Sequence, residues 1–412
     1  MEENLPWKVI FFGTFFSLVI LAGAYFLIAP GNNDYFSEVS TDKIAEFKNP
    51  HIIGKKDGKP SWELAAESGW LGKDKETTNL INLKDGKIFQ NEKIVLNNLS
   101  APRAKANLRS KIIEAFGLAE NEDSKKPSHL NVQIDLENVA EPNANQPEDW
   151  ANLKADYLKY FSNEKRSEIR GRINLQKKDG TVMADSMNLN NENKIADISG
   201  HISFIRSNGT VRADNMRFYG KEERLDAIGN VVVAVSGESQ ATKIKAASAN
   251  FFEDTSKDMQ LHGSIEALQS EKIVIGNEAI YSQNSKTLTI KGAVKAVFGK
   301  AGVIIKSNTA EKLHSNEAKE MLKEKTLLTS NELLLSTNIG DAKASGNVEV
   351  TQKGREAKAD YAFYNDKTEI LSLTGNVYMK QGDKWVKAKQ VNVSVKNETF
   401  EAVGSVEAEF RL

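Results

Sequence analysis

Apolar and polar residues alternate from about residue 151 to the end of the chain, and the alternation is locked to a recurring glycine. The glycine is followed at plus two and plus four by apolar residues at Gly171 (Ile173, Leu175), Gly200 (Ile202, Phe204), Gly229 (Val231, Val233) and Gly263 (Ile265, Ala267). The same pattern returns at Gly292 (Val294, Ala296), Gly346 (Val348, Val350), Gly375 (Val377, Met379) and Gly404 (Val406, Ala408). Sixteen residues before each glycine lies a small residue: Ala155, Ala184, Ala213, Ala247, Gly276, Ser330, Ala359 and Ala388. Eleven before it lies an apolar one: Tyr160, Leu189, Phe218, Phe252, Tyr281, Leu335, Tyr364 and Val393. Five of the seven glycine-to-glycine spacings are 29 residues, and the others are 34 and 54. A fixed period of this length marks a repeat array in which each unit buries its apolar face against its neighbours.

Residues two apart on a strand share a face, so the plus-two and plus-four pairs point into one interior while Asn230, Glu266, Lys295 and Glu349 face out. Each module is expected to be two long antiparallel strands, bent where the landmark glycine or alanine leaves room for the chain to turn. The longer spacings place insertions in loops. The largest insertion, 309–325 (TAEKLHSNEAKEMLKEK), is rich in helix formers and predicts a short surface helix.

Ahead of the array the pattern changes. Residues 9–29 form an uncharged apolar run closed by Pro30-Gly31. At about 1.5 Å per residue, it is long enough for a hydrocarbon core of roughly 30 Å. Lys8 on one side and Asp34 and Glu38 on the other orient it with residues 1–8 in the cytoplasm and the bulk of the chain outside. A cleaved signal peptide is the rival reading, weakened by Glu2 and Glu3 and by apolar residues beyond Ala22-Gly23-Ala24. Residues 30–150 read as a separate β region. It holds a hairpin around Asp57-Gly58, short strands at 79–83, 87–89 and 94–96 with a turn at Asp85-Gly86, a short helix over 103–118 and a half-buried strand over 130–136.

Composition sharpens this reading. All eight prolines precede residue 148, so the array has none to interrupt a ladder. Lys plus Arg (55) balances Asp plus Glu (56), which gives no footprint for nucleic acid. No cysteine is present, and the five histidines lack ligand spacing, so neither a cofactor, a metal site nor an enzymatic constellation is expected. His201 and His262, both beside module glycines, are read as structural although stacking could bring them together. Asp156, Asp185, Asp214 and Asp360 recur beside the small landmarks, and the nearby Lys154, Arg212 and Lys358 suggest a neutralised outer edge rather than a cation site.

What remains as a carrier of function is the interior. Its plus-two and plus-four residues are mostly small or medium, whereas sheets about 10 Å apart need larger side chains to close the gap. That favours an unfilled apolar groove suited to acyl chains; the alternative is a packed envelope solenoid or scaffold with no cargo, and a repeat-fold polysaccharide lyase lacks its acid and base. The final stretch, Ser405 to Leu412, alternates Val406, Ala408, Phe410 and Leu412 with charged residues and has nothing after it to pair with, so it is expected to dock another sheet by edge addition.

Modules such as Gly200-His201-Ile202-Ser203-Phe204, Ala213-Asp214-Asn215-Met216-Arg217-Phe218-Tyr219 and Gly229-Asn230-Val231 resemble repeats of the organic-solvent-tolerance A family of lipopolysaccharide-transport proteins, LptA, LptC and the N-terminal domain of LptD. The anchor followed by Asp57-Gly58-Lys59-Pro60-Ser61-Trp62-Glu63-Leu64-Ala65-Ala66 is similar to LptC, though the chain is about twice as long, as if an LptC-like start ran on into an LptA-like array over 151–412. The resemblance implies an all-β, elongated, folded-over antiparallel β-jellyroll whose groove shields the lipid A acyl chains of lipopolysaccharide. It further implies an inner-membrane location in a Gram-negative-type bacterium with the bulk periplasmic. The partners it implies are an inner-membrane ABC transporter and another jellyroll protein at the C-terminal edge.

Overall fold

The computed structural model describes residues 43–117, 129–136, 150–178, 180–238, 240–270, 272–298, 326–352, 354–397 and 399–409. The expected membrane segment at 9–29, the expected helix at 309–325, and Phe410 and Leu412 all lie outside these residues. Among the described residues no helix is long and apolar enough to cross a membrane.

The first strands are β1 (Lys43–Lys48), β2 (His51–Lys56), β3 (Lys59–Gly72), β4 (Thr77–Gln90), β5 (Lys93–Asn107), β6 (Ile112–Phe116), β7 (Leu130–Ile134), β8 (Ala151–Ala155) and β9 (Tyr157–Phe161). The array begins with β10 (Arg166–Lys177), β11 (Gly180–Asn190), β12 (Ile195–Arg206), β13 (Gly209–Tyr219), β14 (Arg224–Ser236), β15 (Ala241–Phe252), β16 (Met259–Gln269) and β17 (Lys272–Ser282). It continues through β18 (Thr287–Phe298), β19 (Thr326–Ser336), β20 (Ala342–Gln352), β21 (Arg355–Asn365), β22 (Ile370–Gln381) and β23 (Lys384–Ser394) to two short strands, β24 (Thr399–Val403) and β25 (Glu407–Glu409).

From β10 to β23 each strand pairs antiparallel with the strands before and after it in sequence. The sheet also runs back without a break into the N-terminal strands. One half of β5 pairs with β6 and the other with β7, these pair with β9 and β8, and β8 and β9 together flank β10. One apolar cluster accordingly extends from Trp62 to Val393.

The glycine repeat marks a crease. In β14, Gly229 and Asn230 stand opposite the single residue Asp214 of β13, so the register slips between Arg212 and Asn215. Both bulged residues are left-handed, Gly229 at φ 81° and Asn230 at 45°. A Cβ on Gly229 would lie 2.6 Å from the Asp214 carboxylate, so the position needs glycine for space as well as for torsion. Bulges of the same kind recur mid-strand in β10, β12, β16, β18, β20 and β22. An extra residue in every second strand at the same height bends the sheet along a line. Its two halves fold toward each other, with the plus-two and plus-four side chains inside.

Several sequence expectations are corrected. Of the expected helix at 103–118, the described residues 103–117 are not helical. Their second-residue alternation, with Ala104, Ala106, Ile113 and Ala115 buried, puts them in β5 and β6 despite the helix-forming Ala, Lys and Arg. Asp85-Gly86 is not a turn. The two residues pair with Ala65 and Leu64 inside one long β4, and a Cβ on Gly86 would press on Leu64 and Leu99 at 3.0 Å, so this glycine permits close packing. In the Gly263 module the landmarks move by one residue. Ala247 faces the bulge in place of the aspartate, and the inward positions are Ala246 and Phe251 rather than Ala247 and Phe252. The Asp57-Gly58 hairpin and the strand beginning at Leu130 are present as expected.

Candidate functional site

The interior is lined as the alternation indicates. Ile173, Leu175, Ile202, Phe204, Val231, Val233, Ile265, Ala267, Val294, Ala296, Val348, Val350 and Val377 are all buried, and Met379 is half-buried against the same core. The small side chains at the plus-two and plus-four positions, which favour an unfilled groove, are one of two contributions to the interior. The apolar positions eleven residues before the glycines also point inward, and they are large: Tyr160, Leu189, Phe218, Tyr281, Leu335 and Tyr364 are buried, as is Phe251. Phe204 stacks on Phe251 with ring centres 5.5 Å apart, and Phe298 meets Tyr364 at 4.6 Å. Small side chains on one register are offset by large ones on the other. Among the described residues, two small voids of about 40 and 30 Å³ lie in the central interior, against Phe204, Phe218 and Val233.

The exposed ends of the fold are its hairpin turns, which form two lips. Turns after β10, β12, β14 and β16 lie on one lip, and those after β11, β13, β15, β17, β19 and β21 on the other. The lips touch through side chains. Ser61 and Ser162 share a hydrogen bond of 2.9 Å. Lys194 in the turn after β11 donates to the Asp135 carboxylate at 3.0 Å and to its carbonyl at 2.9 Å. Lys177 pairs with Glu253 at 2.6 Å, and Arg206 donates to the Phe252 carbonyl at 3.1 Å. Asn208 donates to Gln283 at 2.8 Å, and the Glu238 amide to Asn338 at 2.9 Å. Gln240 donates to Asp366 at 3.2 Å, while Lys272 reaches the Gly340 carbonyl at 2.8 Å and also the Asp366 carboxylate.

Two of these cations are buried. The side chains of Lys194 and Asp135 are 3% and 4% exposed, and that of Lys272 is 3% exposed. Burial pulls both ammonium groups below the ordinary lysine range, opposed for Lys194 by Asp135 and for Lys272 by Asp366. Beyond Asp366 the interior opens. A depression of about 410 Å³ is bordered by Arg355, Lys380 and Lys384 and floored by Met379, Val386, Phe400 and Ala402.

The C-terminal edge is exposed. β24 and β25 both pair with β23 on one side, through Val403↔Gln390 and Ala408↔Val386. Val406 and Ala408 are exposed, so the alternation read for the last stretch does not correspond to an inward face there.

The aspartate row has a structural role. Arg172 donates to Asp156 through Nε at 2.9 Å, and His201 sits 2.6 Å from Asp185. Asn230 and Asn376 donate to Asp214 and Asp360 at 2.8 and 2.9 Å. Each partner is the residue following a bulge glycine, so the row is satisfied across the crease rather than by Lys154, Arg212 and Lys358; Lys358 pairs with Glu349 instead. His201 is on β12 and His262 on β16, with three strands between them. Among the described residues no group of acidic or histidine side chains is arranged to hold a metal ion.

The model of the family described as LptA/(LptD N-terminal domain) LPS transport protein matches residues 181–287 and 273–399, together more than half of the chain. The chain belongs to this family. The matched residues run from β11 to β24, which is the creased array itself. Among solved structures, a match is found to LptH of Pseudomonas aeruginosa, described as the LptA homologous periplasmic component of the conserved lipopolysaccharide transport device. It is 15% identical, covers 31% of this chain and 87% of that one, and superposes with a TM-score of 0.25. No curated protein matches the sequence.

Proposed function

We propose that this chain is a non-enzymatic carrier in lipopolysaccharide export, anchored in the inner membrane by residues 9–29. It takes lipid from an inner-membrane ABC transporter and passes it along the apolar interior toward the outer membrane, with residues 30–150 as an LptC-like start and 151–412 as an LptA-like continuation. Membership of the family supports this reading, and the observation that carries it is the single apolar interior continuous from Trp62 to Val393. Burial contributes about 0.8 kcal/mol per CH₂, so acyl chains crossing an aqueous compartment need cover along the whole path. The filled central interior means that lipid enters by displacing side-chain contacts rather than by occupying empty space.

A packed scaffold without cargo is the second reading, favoured by the same close packing. A photo-crosslinking residue at Val233 or Val350 separates the two. Capture of lipopolysaccharide in cells from these buried positions, and not from the exposed Asn230, is expected. Labelling from Asn230 alone would favour the scaffold.

A further inference from the structure

The proposal that follows rests on the interior being a lipid path. We propose that the seam between the lips is a latch, with Lys194 and Lys272 as its two bolts, and that the mouth opens by releasing them while the strand ladder stays intact.

Three observations carry this. The cross-mouth contacts named above all use a side chain on at least one partner, so they can part without breaking strand pairing. Lys194 and Lys272 place buried charge where a permanently closed solenoid would be served as well by apolar residues, since a buried ion pair adds little over well-packed hydrophobic side chains. Such pairs suit a contact that is either made completely or not at all, because either partner left alone in the seam is strongly disfavoured.

The repeat itself supplies the third. The 34-residue spacing between Gly229 and Gly263 exceeds the usual 29, and Glu238, Gln240 and Glu253, which lie between the strands of that stretch, reach Asn338, Asp366 and Lys177 on the opposite lip. The departure from the period thus equips the mouth, not the core. A lipid whose acyl chains lie inside and whose saccharide stays in water must cross between the lips, so the closed seam and the loaded state exclude each other.

The chain has no cysteine, so labels can be directed to Ser270 and Lys367, exposed residues beside the Lys272 bolt on opposite lips. With Ser270→Cys and Lys367→Cys spin-labelled in the full-length chain, pulsed electron resonance without lipid is expected to show one short distance. Lys272→Met, which keeps the bulk and removes the charge, should move at least a third of the population to longer distances, with an unchanged circular-dichroism spectrum showing that the sheet is intact. An unchanged distance in Lys272→Met and in Lys194→Met/Lys272→Met overturns the latch. In a second arm the two cysteines are bridged by a reductant-cleavable bismaleimide, and capture of lipopolysaccharide by a photo-crosslinker at Val233 is measured. Capture should fall at least tenfold when bridged and return on reduction; equal capture in both forms also overturns the latch. Absence of capture in the reduced form counts against the lipid path, and the lipid-free distances then decide the latch by themselves.

Discussion

At the scale of single residues, the crease depends on torsion and space together. Gly229→Ala introduces a Cβ at a φ of 81° and 2.6 Å from the Asp214 carboxylate. The left-handed conformation alone costs about 1–2 kcal/mol for an alanine. The variant should therefore lose about 2 kcal/mol in chemical denaturation, and adding Asp214→Ala should recover only the part due to contact. A second prediction concerns pH. Burial pushes the Tyr160 hydroxyl up to about 12 from an ordinary value of 10.0. The unfolded chain ionises first, so the stabilisation associated with Tyr160 is fully present below pH 10 and declines as pH rises from 10 toward 12. Tyr160→Phe should flatten that part of the alkaline unfolding profile, and an unchanged slope would remove Tyr160 as its source.

Among elements, legibility followed the glycines. Where a glycine stands at the bulge, the plus-two and plus-four residues and the inward face were readable directly. In the N-terminal strands the same left-handed positions are taken by asparagine, Asn82 and Asn98 both at φ 51°, and asparagine tolerates that region without leaving a countable glycine. β4 and β5 consequently read as fragments, and β6 was masked by helix formers. The one-residue slip before Gly263 was hidden because Ala246 and Ala247 are both small and Phe251 and Phe252 both aromatic, so pattern alone does not choose between them. The large inward side chains were visible in the sequence but not assigned to the interior, since their distance from the glycine says nothing about facing until the bulge is counted. Among the described residues β24 and β25 pair on one side only, with β23, and edge addition remains the proposed route to a partner jellyroll. Deleting residues 405–412 should abolish crosslinking to that partner; crosslinking that persists would move the contact elsewhere.

For the molecule as a whole, strand pairing and mouth closure have different reach along the chain. From β11 to β22 every strand finds its partners next to it in sequence, whereas Gln240 and Asp366 meet across 126 residues. Family membership was visible in the repeat, but the seam was not, because its residues occupy turns with no common period and meet only once the sheet has bent. The meander also sets an order of assembly. Local contacts form quickly and distant ones pay loop-closure entropy first, and a sheet that grows by nearest-neighbour addition can begin while later residues are still being delivered. A chain emerging N-terminus first into a compartment can therefore add one hairpin at a time to a template already in place, with each contact between the lips closing only once the later of its two partners has arrived, first Ser61 with Ser162 and last Gln240 and Lys272 with Asp366.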